Sequence, residues 1–109
     1  MFGLGGIFVE VMKDVTFRLH PLTDRDADEM VRGVRGYALL DGYRGAPPAD
    51  VPALEETLLR VSALVGNHPE IVEMDLNPVK VLALGKGCVA VDARIRLDRP
   101  RAPYRCRGR

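Results

Sequence analysis

Three oxygen-bearing side chains in the last third of the chain could hold a hard cation: Asp75, Asn77 and Asp92. In an extended strand, Asp75 and Asn77 are two residues apart and face the same way. Their segment, IVEMDLNPV, is otherwise apolar enough for a buried strand. Asp92 follows Asn77 by fifteen residues, beyond a glycine turn, in the middle of a second stretch with strand alternation. If these strands are antiparallel neighbours, the three side chains converge on one patch. Such a patch suits magnesium, which takes oxygen ligands, keeps several waters and shares its shell with substrate phosphates. A plainer arrangement uses the same residues: Asp75 and Asp92 face solvent or pair with Arg94 and Arg96, and Asn77-Pro78 makes a turn.

The elements that would position these groups follow from the pattern along the chain. Residues 7–20 alternate as a β-hairpin around a three-residue loop, Met12-Lys13-Asp14. That register puts Val9, Val11, Val15, Phe17 and Leu19 on one face, and sets Glu10 opposite Thr16 with Arg18 diagonal to it. A helix at about 24–33 is predicted from Thr23 as N-cap, Asp26 three residues on, and Leu22 and Ala27 placed as a staple. Gly33 and Gly36 loosen the chain, and the segment DGYRGAPPAD at 41–50 reads as a loop. Asp50 can cap a second helix at about 51–65, where Leu54, Leu58, Val61 and Val65 form an apolar stripe and Gly66-Asn67 is a natural stop.

The remainder is extended. Ile71 to Asn77 makes a strand ended by Pro78, Val79 to Leu84 continues extended, and Gly85-Lys86-Gly87 turns the chain. Val89 to Leu97 then alternates, with Val89, Val91, Ala93, Ile95 and Leu97 on one side. The expected order is ββααβββ, an α+β class with an antiparallel sheet and two helices.

A chain of 109 residues fits one small domain. No apolar run approaches the roughly 18 residues of a membrane span, and MFGLGGIFVEVMKD lacks the basic start of a signal peptide. Residues 98–109 hold five arginines and one acid, so the formal charge of +1 leaves −3 on residues 1–97. That body does not suggest a nucleic-acid surface, and the arginine-rich 98–109 segment is expected to be a basic disordered tail. Cys88 and Cys106 have no metal-type spacing, which points to reduced thiols in a cytoplasm.

Three stretches together are more specific than any single motif: FGLGGIFVEVMKDVTFRLHPLTDRDADEM, LLDGYRGAPPADVPALEETLLRVSALV and IVEMDLNPVKVLALGKGCVAVDARIRL. In this order, over residues 1–97, they resemble the C-terminal part of the ATP-grasp domain of ADP-forming acyl-CoA synthetases, a family related to succinyl-CoA synthetase. The resemblance implies an acid–thiol ligase that exchanges an acyl-CoA, ADP and phosphate for a carboxylic acid, CoA and ATP through acyl-phosphate and phosphohistidine intermediates. Its cofactors would be Mg2+ and ATP/ADP.

By the same resemblance, Asn77 of the Asp-Leu-Asn-Pro motif and Asp92 of the Val-Asp-Ala-Arg motif would be the metal ligands. Asp75 would support the metal or a water network. Glu10 and Arg18 lie in the matching segments FVEV and FRLHPL; they either pair with each other or reach the nucleotide phosphates. Gly3-Leu4-Gly5-Gly6 offers an anion nest or only a turn. His20 and His68 fall in no motif that carries the phosphohistidine, and read as surface or strand-end residues. The expected partners are the missing N-terminal ATP-grasp half, the CoA-binding and phosphohistidine domains or subunit, and a second copy in a homo-oligomer. On this reading the isolated chain is inactive. The other reading is a non-catalytic ATP-grasp remnant acting as a protein-interaction module.

Overall fold

In the computed structural model, which describes residues 1–99, the chain opens with β1 (Phe2–Gly3) and makes a single helical turn, α1 (Ile7–Glu10). It returns as β2 (Val15–Thr16), which pairs antiparallel with β1. This corrects the expected hairpin over 7–20. Gly5 and Gly6 adopt φ of 82° and 54°, and the N–H groups of Val9 and Glu10 then donate to the Gly6 carbonyl at 3.1 and 2.9 Å. Lys13 is left-handed at φ 55°. It presents Asp14, 4% exposed, inward, where its carboxylate accepts from the N–H groups of Arg35 at 2.7 Å and Gly36 at 2.8 Å. These long-range bonds outweigh the strand preference of the valines, which is strongly dependent on context. The hairpin face dissolves as well: Val11, Phe17 and Leu19 are exposed.

Helix α2 (Asp24–Arg32) starts at the expected cap. Thr23 accepts from the Asp26 N–H at 3.1 Å while the Asp26 carboxylate accepts from the Thr23 N–H at 2.9 Å, a complete capping box. Its inner face buries Ala27, Met30 and Val31. Two short 3-10 turns, Arg35–Leu39 and Tyr43–Gly45, lead on to α3 (Val51–Asn67). This helix is capped by Asp50, whose carboxylate accepts from the Ala53 N–H at 3.2 Å. Val31, Val51 and Leu54 form the centre of the core, with Leu58 and Tyr37 packed against it. Buried Ser62 on α3 accepts from the Leu22 N–H at 2.8 Å and fastens the approach to α2.

The last third forms a long two-stranded ribbon. Strand β3 (Ile71–Leu76) pairs antiparallel with β6 (Ala93–Leu97), and β4 (Val79–Val81) with β5 (Cys88–Ala90). Between these ladders the Asn77 N–H donates to the Asp92 carbonyl at 3.1 Å and the Val91 N–H to the Pro78 carbonyl at 2.9 Å. The expected single strand from Val89 to Leu97 is therefore two, and Asp92 sits in the break and not in mid-strand. Proline at 78 has no N–H to give to the ladder, which is why regular pairing stops there.

The ribbon is joined to the helices at its turn. The second oxygen of Asp50 accepts from Gly85 N–H at 3.1 Å and Gly87 N–H at 2.8 Å, and the Asp50 N–H donates to the Leu82 carbonyl at 2.8 Å. The α+β class, the antiparallel pairing and the two long helices match expectation. Among the described residues the sheet is divided into three two-stranded pieces. The disordered tail expected for 98–109 falls, from residue 100 onward, outside the described residues.

Candidate functional site

A cavity of about 550 Å³ lies between the N-terminal segment, α3 and the β3–β4 side of the ribbon. Glu10, Arg18, Asp75 and Asn77 all line it, reached from different elements. Glu10 ends α1, so it arrives from a helical turn and not from the expected strand. Arg18 follows β2, and its guanidinium donates to the Phe17 carbonyl at 2.7 Å. Among the described residues Glu10 and Arg18 form no ion pair. The structure thus brings the two to one cavity while leaving both charges available.

Asp75 is exposed on β3, directly opposite Arg94 in the ladder. Arg96 is engaged by Glu73 at 3.0 Å. No salt bridge holds Asp75 or Asp92 among the described residues. Asn77 is exposed just beyond β3. Asp92 does not line the cavity, but it is fixed beside Asn77 by the backbone bond at 3.1 Å. Four of the five expected residues therefore share one cavity, and the fifth is the cross-strand neighbour of one of them.

The donor set suits a hard cation in its chemistry. Two carboxylates and one amide oxygen are the ligand types magnesium takes, and all three side chains are exposed enough to admit water and phosphate oxygens. Among the described residues no group of three or more His, Cys, Asp or Glu is gathered to hold a metal by protein ligands alone. Magnesium tolerates that, because it commonly binds through one or two carboxylates plus substrate phosphates.

His20 also lines the cavity, together with Gly5 and Gly6. It is exposed, as the sequence leads one to expect, and the chain path after β2 carries it to the cavity rim. Asp14 was read as part of a hairpin loop. Its partners lie 21 and 22 residues away, beyond the reach of any local pattern. His68 is the ordinary surface group expected, 3.1 Å from Glu70.

Comparison with known proteins places the chain in a family. Residues 1–97 match the ATP-grasp domain family. The chain is 57% identical over 89 residues to acetate–CoA ligase [ADP-forming] I of Archaeoglobus fulgidus, covering 82% of this chain and 13% of that protein. It is 54% identical over 96 residues to the beta subunit of acetate–CoA ligase [ADP-forming] II of Pyrococcus furiosus, covering 87% of this chain and 41% of that subunit. A solved structure of the dinucleotide-forming acetyl-coenzyme A synthetase 1 of Ca. Korarchaeum cryptofilum holds coenzyme A and Mg-AMPPCP, with a phosphohistidine segment pointing towards the nucleotide site. This chain superposes on it with a TM-score of 0.81 at 46% identity, covering 88% of this chain and 44% of that one. The chain thus spans less than half the length of each of these relatives.

Proposed function

The chain belongs to the ATP-grasp domain family, and we propose that it forms one wall of the magnesium–nucleotide site of an ADP-forming acyl-CoA ligase. In this reading the site serves phosphoryl transfer between ATP or ADP and a phosphohistidine supplied by another domain or subunit. The observation that carries it is the backbone bond from Asn77 to Asp92. It sets two oxygen-bearing residues side by side, Asn77 on the wall of a cavity that Glu10, Arg18 and Asp75 also line and Asp92 across the ribbon from it.

Asn77 and Asp92 would hold Mg2+ through their side-chain oxygens. The ion, when bound, offsets charge on the phosphoryl group in transfer. Asp75, exposed and two residues from Asn77, orients water around those ligands. Arg18 offers an always-charged guanidinium to phosphate oxygens, and Glu10 accepts hydrogen bonds from ribose or water at the same rim. In this reading CoA and the carboxylic acid are met elsewhere in the assembly. One wall of a cleft cannot cover most of a nucleotide's surface as binding pockets ordinarily do, so the chain alone binds Mg-ATP weakly and turns nothing over.

The test uses a chimera in which this chain replaces the 96 residues that it matches in the Pyrococcus furiosus beta subunit, assayed with the rest of that ligase. Asn77→Ala and Asp92→Ala should each lower phosphoryl transfer on the order of a hundredfold, with partial recovery at high magnesium. Undiminished transfer by either variant at low magnesium overturns the assignment. The alternative, a non-catalytic remnant that serves as an interaction module, draws on the exposed apolar residues of the ribbon; it expects both variants to behave as the parent throughout.

A further inference from the structure

Asp14 does not line the cavity, yet it holds the segment that forms the cavity's N-terminal wall. That wall is made by Leu4, Gly5, Gly6, Val9 and Glu10. Its only regular element is α1, a single turn of four residues. So short a helix does not stand by itself, because the cost of nucleating a turn exceeds what one turn returns. It has to be held from outside. The Asp14 N–H donates to the Phe8 carbonyl of α1 at 2.7 Å. The two oxygens of its carboxylate accept separately, from the Arg35 N–H at 2.7 Å and the Gly36 N–H at 2.8 Å. No ion pair engages this 4% exposed acid among the described residues. Its carboxylate is therefore anchored by two backbone donors of the 3-10 turn that follows α2.

Packing is tight at the same point. A Cβ on Gly36 would stand 2.6 Å from Leu4 Cδ1 and 3.3 Å from Phe8 Cε1, and one on Gly3 would stand 2.7 Å from Val9 Cγ2. At Gly5 and Gly6 a Cβ would meet nothing within 4 Å. The wall is thus pressed onto the 3-10 turn at one side and open at the other. We propose that Asp14 is a positioning residue for the nucleotide. With Gly36 beneath, it fixes the height at which Gly5, Gly6 and Glu10 meet the ligand, and it touches no ligand itself. The proposal rests on reading the cavity as a magnesium–nucleotide site, and not on Asn77 and Asp92 being the metal ligands.

The test separates KM from kcat in the Pyrococcus furiosus chimera described above, with the folded fraction of each variant taken from circular dichroism. Asp14→Ala leaves both backbone donors without their acceptor, whereas Asp14→Asn keeps one acceptor oxygen. KM for Mg-ATP should rise roughly tenfold in Asp14→Ala and less in Asp14→Asn, with kcat per folded molecule held within about twofold. Gly36→Ala reaches the wall from below, through Leu4 and Phe8, and should raise the same KM. Val31→Ala truncates the fully buried core and does not touch the cavity lining. It should lower the unfolding midpoint and leave KM alone, which a merely structural Asp14 would also do. A fall in kcat at unchanged KM in the Asp14 variants would overturn the proposal, as would a KM that rises as much in Val31→Ala. If Asp14→Ala does not fold, Asp14→Asn and Gly36→Ala decide, and an unchanged KM in both would overturn it equally. If Asn77→Ala and Asp92→Ala leave transfer undiminished while the Asp14 variants still raise KM, the metal assignment fails and the positioning role stands.

Discussion

Helices α2 and α3 and the ribbon β3–β6 solve the problem of burial in opposite ways. The helices face each other and bury Ala27, Met30, Val31, Val51 and Leu54, with both N-termini capped by their own side chains. The ribbon satisfies its backbone across one ladder but leaves Val72, Val89, Val91, Ile95 and Leu97 exposed. A two-stranded hairpin in water is marginal unless a further strand or a helix covers it. The difference teaches where apolar surface is covered within the described residues and where it is left open. Asp75, Asn77 and Asp92 lie on the open ribbon, while Glu10 and Arg18 reach the same region from the N-terminal segment.

The sharpest way to break that comparison is a matched pair of truncations. Leu54→Ala, 5% exposed in the core cluster, should cost about 2–5 kcal/mol. Ile95→Ala on β6 should stay within about 0.5 kcal/mol in the chain alone. Urea unfolding followed by circular dichroism measures both. Equal losses would mean that the ribbon is as well packed as the helices.

A smaller effect is expected where the two regions meet. Asp50 is 6% exposed and serves three N–H groups, those of Ala53, Gly85 and Gly87. Asp50→Ala should lose about 1–3 kcal/mol, and amide exchange at Gly87 should rise with it. If Gly87 stays protected, the ribbon has another anchor.

The smallest effect sharpens the picture of the helical side. Glu55 on α3 is partly buried, with one carboxyl oxygen enclosed and unpartnered. Burial first, and then the neighbouring Asp28 carboxyl, raise its pKa above the usual glutamate range, while Arg32 holds Asp28 low through the hydrogen bond at 2.6 Å. The Asp28–Glu55 contact is a hydrogen bond only when Glu55 carries the proton. A raised folded pKa gives stability below the unfolded value, near 4.3, and loses it as pH rises through the folded value. Asp28 works the other way, contributing stability that fades as pH falls. Glu55→Gln should therefore raise the unfolding midpoint slightly at pH 7, with the gain shrinking towards pH 4. A pH series of thermal unfolding checks the sign; a gain that grows in acid would contradict the assignment of the shift to burial.

The helices were legible because their signals are local. The Thr23–Asp26 reciprocal cap, the Asp50 cap and the Leu54–Leu58–Val61 stripe each lie within a few turns of chain. The antiparallel pairing of the ribbon was legible for the same reason, since its turn residues and alternation are close in sequence. The first twenty residues were not. Valines at alternate positions imitate a hairpin, and only Asp14 reaching Arg35 and Gly36 decides for a helical turn. Asp92 lies in a break and not in mid-strand as expected, because the break depends on Pro78 across the ladder. Glu10, Arg18, Asp75 and Asn77, singled out from separate stretches, line one cavity in the structure, and Glu10 gets there from a helical turn. His20 is exposed as expected; that it lines the cavity depends on tertiary placement that no spacing encodes.

The ribbon's ladder joins residues that are close in sequence, from Val81 with Cys88 outward to Ile71 with Leu97. Its formation is a matter of local diffusion, with hairpins closing in about 1–10 μs. Fastening Leu22 to Ser62 closes forty residues of chain, and loop-closure entropy makes such contacts late ones. The clock of this domain is set by that difference: a ribbon that zips and frays many times before the two helices are tied to each other.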